Sequence, residues 1–229
     1  MSALAEKRDV APGYAFFDVD DTLISVKSLL RFQDYWYEVA GDTAGRAAYE
    51  ADMADLRRMD ASWEILNRRF YRHFAGRSVA EVEARGRDWF ALVEASTPNL
   101  FHGPVVACLR RHQAAGVEAV FVSGSFPAVL RPVADRLGVR HILATTMASV
   151  GGRYTGEILA PQTIGAGKAA AAADFLRRRG VRPEACHAYG DDISDLALLE
   201  SVGHPTAVRG GRGLEALAAQ RGWRIISPS

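Results

Sequence analysis

The feature of this sequence that most narrows its possible folds is a rhythm of short apolar runs, each ending at polar or acidic residues and separated by helical stretches. Tyr14-Ala15-Phe16-Phe17 is the first run, followed by residues 119–122, 141–144, 186–189 and, more weakly, 206–208. Runs this short, bounded in this way, read as strands buried on both faces. Between most of them lie helical patterns at residues 103–115, 126–137 and 167–179, each followed by a glycine: Gly116, Gly138 and Gly180. Glycine suits the left-handed conformation common just past a helix end. Alternation of strand and helix predicts an α/β fold, a doubly wound Rossmann-like parallel sheet covered on both faces, with ligands bound beyond the carboxyl ends of its strands. The residues that follow each run are therefore the ones to inspect.

One stretch breaks the rhythm. Residues 27–100 contain no convincing strand and read as successive amphipathic helices, with apolar residues near helical spacing at Leu29, Leu30, Phe32, Tyr35 and Trp36, and again at Trp63, Ile65, Leu66, Phe70 and Phe74. Ser78 and Glu81 have the form of a capping box at a helix start. The expected organisation is a loose tail at 1–12, a sheet-bearing domain at 13–26 and 101–229, and a helical insertion at 27–100 whose aromatics serve mainly as core. Residues 151–158 alternate glycine with strand-forming side chains, as a small hairpin does, and are expected to brace the sheet edge or the insertion.

Composition bounds function mainly by exclusion. With 48% hydrophobic and 24% charged residues, the chain has material for a sizeable core. Lys and Arg number 28 against 27 Asp and Glu, a net charge of +1 that offers no broad footprint for nucleic acid or an anionic membrane. Two cysteines, Cys108 and Cys186, sit far apart in buried-looking runs and suit a reduced compartment. The amino terminus lacks the apolar stretch of a signal peptide, and no run approaches a membrane span, so a cytoplasmic location is expected.

Chemistry concentrates where the runs end. Asp18 and Asp20 occupy alternate positions after the first run, so both could face one pocket. That spacing suits a division of labour in which one carboxylate attacks phosphorus and the other manages the proton. Two such anions beside a phosphate need a cation, and Mg2+, which favours oxygen ligands, is the expected one. Taken alone the run could be a turn rich in acidic caps. A second acidic turn, Gly190-Asp191-Asp192-Ile193-Ser194-Asp195, follows another run and converges on the same sheet edge, which is hard to explain by capping. Ser123-Gly124-Ser125 offers a hydroxyl and backbone amides before a helix start, and Lys168 adds a fixed positive charge. Together they form a constellation for phosphoryl transfer.

These motifs, in this order, resemble those of the haloacid dehalogenase superfamily of phosphohydrolases, in its phosphoserine-phosphatase-like branch with a helical cap after the first motif. The resemblance implies that Asp18 is the nucleophile and Asp20 the general acid and base, with Ser123, Gly124 and Lys168 binding the substrate phosphate. It also implies that Mg2+ is held by the Asp18 carboxylate, the Asp20 carbonyl and the Asp191 carboxylate, with Asp195 and Thr22 behind them. Asp21 and Asp192 stand where relatives usually carry small residues and are read as tolerated variants, not metal ligands. True phosphoserine phosphatases place a Glu nine residues after the nucleophile, where this chain has Lys27. A cation there would disfavour a substrate ammonium unless Lys27 points to solvent.

The expected function is thus hydrolysis of a small phosphomonoester through an aspartyl phosphate. Alternatives are a phosphoserine phosphatase, a phosphotransferase or mutase using the same aspartyl phosphate, and a silent binding protein on the same fold. Gly165-Ala-Gly-Lys168 fails as a nucleotide phosphate loop because Gln162 and Ala169 stand where that motif needs Gly and Ser or Thr. The six histidines lack ligand-like spacing, which argues against zinc.

Overall fold

In β1 (Tyr14–Phe17) successive side chains point to opposite faces of a sheet, and each face meets its own apolar core. Phe16 joins one cluster with Val120, Val122 and Phe175; Ala15 and Phe17 join the other, with Phe121 and Val129. The computed structural model describes residues 13–229, so the tail expected at 1–12 lies outside the described residues. Strands β2 (Glu118–Ser123), β3 (His141–Ala144), β6 (His187–Gly190), β7 (His204–Val208) and β8 (Arg224–Ile226) join β1 in a six-stranded sheet of order β3-β2-β1-β6-β7-β8. Every neighbouring pair is parallel. The doubly wound parallel sheet expected from the alternation is the observed one.

Helices α5 (Gly103–Ala114), α6 (Pro127–Leu137), α7 (Ala166–Arg177), α8 (Leu196–Glu200) and α9 (Leu214–Gln220) carry the crossovers. The closing glycines hold positive φ: 77° at Gly116, 63° at Gly138 and 65° at Gly180. α7 ends two residues before the expected boundary, because Gly180 and Val181 donate back to Arg177 and Leu176 and close the last turn early. β8 carries no sequence signal, because three residues with one exposed are too few to show a period. Among the described residues, no helix is long and apolar enough to cross a membrane.

Residues between β1 and α5 carry α1 (Ser28–Ala40), α2 (Thr43–Arg58), α3 (Trp63–Arg72) and α4 (Val79–Ser96). These helices share one apolar core with the sheet instead of forming a separate one. Phe126, just before α6, meets Phe32 of α1 and Phe74 edge to face at 5.4 and 5.2 Å between ring centroids. α4 lies against α6 so closely that a Cβ at Gly86 would fall 2.2 Å from the Ala128 carbonyl oxygen. The aromatics are mostly core as expected, but Trp63 is not, at 43% exposed, nor is the apolar Ile65, at 52%. They lie at the first turn of α3, off the face that buries Leu66, Asn67, Phe70 and Tyr71.

The hairpin is longer than its glycines suggested, with β4 (Met147–Val150) paired antiparallel to β5 (Arg153–Ile158). It braces the helical insertion: Gly76 N–H donates to the Tyr154 carbonyl, and Tyr154 N–H donates to that of Arg77. Only half of the expected capping box forms. Ser78 Oγ accepts from the Glu81 amide, while the Glu81 carboxylate pairs forward with Arg85 at 2.8 Å.

Candidate active site

The sheet order turns back between β1 and β6, and a crevice opens there beyond the strand ends. Asp18 follows β1, Ser123 ends β2 and Asp191 follows β6, so adjacency in the sheet brings together residues far apart in sequence. The Asp18 amide donates to the Tyr189 carbonyl at 2.9 Å, extending the ladder as far as the site.

Lys168, at the start of α7, is buried and donates to Asp18 Oδ1 at 2.6 Å and Asp195 Oδ1 at 2.5 Å. Burial works against its charge, but Asp18 and Asp195 override that and hold the ammonium above lysine's ordinary range. Thr22 Oγ1 lies 2.7 Å from Asp191 Oδ1 and 3.2 Å from Asp18 Oδ2, linking the two carboxylates from beneath. Asp195 Oδ2 accepts from the amides of Asp191 and Asp192, so Asp195 both fixes Lys168 and shapes the second acidic turn. Gly211 lies against that turn: a Cβ there would sit 2.1 Å from the Asp191 carbonyl oxygen.

Asp20 points one oxygen at the Ser28 hydroxyl, 3.0 Å away, while its Oδ1 is buried with no partner. Burial and the neighbouring Asp18 push its carboxyl up to about 7, with Ser28 and Lys27 opposing. Burial, Asp18 and Asp195 also raise Asp191 above the ordinary carboxylate range. Asp18 and Asp195 thus hold the Lys168 ammonium, and two further carboxyls, Asp20 and Asp191, feel the charge of Asp18. Oxygens of Asp18, Asp191 and Asp195 lie within 4.8 Å of one another, and the all-oxygen donor set together with the orphaned Asp20 Oδ1 fits a hard divalent cation. Asp195 is already committed to Lys168 and two amides, which leaves Asp18 and Asp191 as the carboxylates with free lone pairs.

The turn 123–125 completes the crevice. Ser123 Oγ accepts from the Ser125 amide at 3.0 Å and keeps its own proton free to donate. Ser28 Oγ lies 2.8 Å from Ser125 Oγ, joining this turn to Asp20. The Gly124 carbonyl accepts from Asn67 Nδ2 at 3.0 Å and from the Tyr71 hydroxyl at 2.8 Å, both on α3. The helical insertion therefore holds the turn in place directly.

The haloacid dehalogenase-like hydrolase model matches residues 15–200, a span that contains both acidic turns, Ser123 and Lys168. The chain belongs to the haloacid dehalogenase-like hydrolase family. A probable phosphatase of Mycobacterium tuberculosis is 33% identical, over 93% of this chain and 74% of its own length. The phosphoserine phosphatase SerB1 of the same organism is 30% identical over 92% of this chain and 69% of its own. A solved Bordetella pertussis protein described as of unknown function superposes with a TM-score of 0.83 at 27% identity, over 95% of this chain and 99% of its own. The chain is a phosphatase-type hydrolase of this family, in its phosphoserine-phosphatase-like branch.

Where the chain departs from the family's usual residues, the structure supplies reasons. Asp21 has φ of 61°, a left-handed conformation that small residues and Asp tolerate, in the tight turn closed by its own amide and the Ile24 carbonyl. Its carboxylate pairs with Lys27 at 2.7 Å. Lys27, whose side chain is 47% exposed, therefore lines the cavity with its charge offset by Asp21 and does not confront a substrate as a bare cation. Asp192 accepts from the Ser194 amide at 3.0 Å and Arg212 Nε at 3.2 Å. Those partners hold its carboxyl below the ordinary range against the effect of burial, and occupy it away from any metal.

Sequence reasoning missed Ser28, Asn67 and Tyr71, all on helices of the insertion, and His102, whose Nδ1 lies 3.1 Å from the Thr22 carbonyl. A polar residue on the buried face of an amphipathic helix was the available signal for Asn67, but nothing in the sequence says that the face meets Gly124.

Proposed function

We propose that the protein is a Mg2+-dependent phosphatase that hydrolyses a small phosphomonoester through an aspartyl phosphate on Asp18. The observation that carries this reading is the pairing of a lysine-held Asp18 with an Asp20 whose second oxygen is buried and unpartnered and whose carboxyl is pushed up to about 7. Asp18 attacks phosphorus. The ester oxygen leaves with the proton of Asp20, which becomes the base that deprotonates the water cleaving the intermediate. Ser123 and the Gly124 amide receive the phosphate oxygens, while Lys168 keeps Asp18 ionised and oriented and adds positive charge beside the phosphoryl group. Bound through the Asp18 and Asp191 carboxylates and the Asp20 carbonyl, Mg2+ would offset the charge that otherwise repels a phosphate.

Residues 27–100 act as a cap over the crevice, with Asn67 and Tyr71 docking α3 on the phosphate turn. Cys108 and Cys186 are both free and buried, which suits action in the reducing cytoplasm. Asp18→Asn tests the mechanism. It is expected to remove Mg2+-dependent phosphate release, by at least about 1000-fold in kcat, with the unfolding transition retained. Substantial residual turnover by that variant would exclude the covalent route.

A further inference from the structure

The cavity at the crevice holds about 470 Å³, enough for a small organic leaving group beyond the phosphate. Its two ends differ in chemistry. Every carboxylate that lines it comes from the acidic turns of the sheet domain, and none comes from residues 27–100. From that stretch the cavity takes Leu29, Leu30, Met53, Trp63, Leu66 and Phe70, an apolar wall from three successive helices. Trp63 stands 43% exposed at its edge, with the Arg212 guanidinium 4.9 Å from its ring centroid.

The cations around the cavity are spoken for, with one exception. Lys168 is held by Asp18 and Asp195, Lys27 by Asp21, Arg212 by Asp192 and Arg209 by Glu215. Arg57, near the end of α2, also lines the cavity, and no carboxylate lies within ion-pair distance of it among the described residues. An amino alcohol would find no anion on the wall from the insertion: Asp21 and Asp192 are committed to their own cations. An apolar leaving group would bury its surface on that wall, and an anionic end could pair bidentately with Arg57, an exposed residue beside the cavity without a carboxylate partner among the described residues.

Resting on the phosphatase reading, we infer that the substrate is the phosphate ester of an apolar alcohol carrying a carboxylate, which Arg57 receives, and not of an amino alcohol such as serine. Arg57 is then a specificity residue remote from the reacting atoms.

Three aryl phosphates of nearly equal size test this with Mg2+ present: 4-(carboxymethyl)phenyl, 4-ethylphenyl and 4-(2-aminoethyl)phenyl phosphate, with O-phosphoserine alongside. The expected order of kcat/KM is carboxylate, neutral, ammonium, with about tenfold or more between first and last and phosphoserine below all three. In Arg57→Gln the carboxylate-to-neutral ratio should fall to within about twofold. Equal rates for the three esters, preference for the ammonium ester or phosphoserine, or a ratio unmoved in Arg57→Gln would overturn the inference while leaving the phosphatase reading intact. No Mg2+-dependent release from any of the four, or from a wide panel of phosphate esters, would overturn both.

Discussion

Replacing Lys168 with Met removes a charge from the most buried ionic group among the described residues and leaves the side-chain volume nearly unchanged. The Lys168 side chain is 5% exposed, and its partners Asp18 and Asp195 are 8% and 1% exposed. Breaking a pair of this kind from one side strands its partner as an uncompensated buried charge, which costs about 3–5 kcal/mol, whereas an exposed pair is worth at most about 1 kcal/mol. Here two partners are stranded, so the upper half of the range is expected. For a chain of this size each kcal/mol moves the midpoint by about 2–4 °C, giving a fall of about 8–20 °C. Urea unfolding in EDTA measures the effect without a divalent cation to substitute for the ammonium. If repulsion between stranded carboxylates is the cause, adding Asp18→Asn to Lys168→Met should recover about 1 kcal/mol or more. A loss below about 1 kcal/mol in the single variant, or a further loss in the double variant, would refute the view that this triad is held by its charges.

Two further outcomes follow from packing and from titration. Gly211→Ala places a Cβ 2.1 Å from the Asp191 carbonyl oxygen and 2.8 Å from Asp191 Oδ2, so backbone must move. A cost of about 1–3 kcal/mol in urea unfolding is expected, with a fall of at least about tenfold in phosphate release as Asp191 shifts. His112, on α5, donates to or accepts from the Tyr189 hydroxyl at 2.8 Å and lies 4.4 Å from the His187 ring. Burial, then His187, Arg111 and Arg224, push it down to about 4. Because the unfolded chain takes up this proton first, stability is lost as pH falls below the ordinary histidine range. The loss at pH 5 is about 1 kcal/mol once partial exposure is allowed for, and His112→Gln should flatten the slope of stability between pH 7 and 5 by that amount. A slope unchanged in the variant would mean that His112 titrates normally.

The layers of the fold and the inventory of reactive groups are legible in local pattern. Apolar runs such as Tyr14–Phe17 are self-reporting, because a strand buried on both faces must be apolar throughout, and glycine at 116, 138 and 180 marks helix ends through local backbone geometry alone. Since strand ends in such a sheet share one edge, Asp18, Ser123 and Asp191 could be assigned to one site before any contact was known.

Tertiary structure decided what those groups face. Lys27 read as a bare cation or a solvated one, and the turn at Asp21 made it half of an ion pair. Trp63 and Ile65 followed the helical pattern of a core face, yet the rotation of α3 spent that face on Leu66, Asn67, Phe70 and Tyr71 and left Trp63 to the cavity. Asn67 and Tyr71 reach Gly124 across more than fifty residues of intervening chain. Periodicity fixes which residues of a helix share a side. Which neighbour that side meets depends on the packing of several helices at once, and no local pattern encodes it.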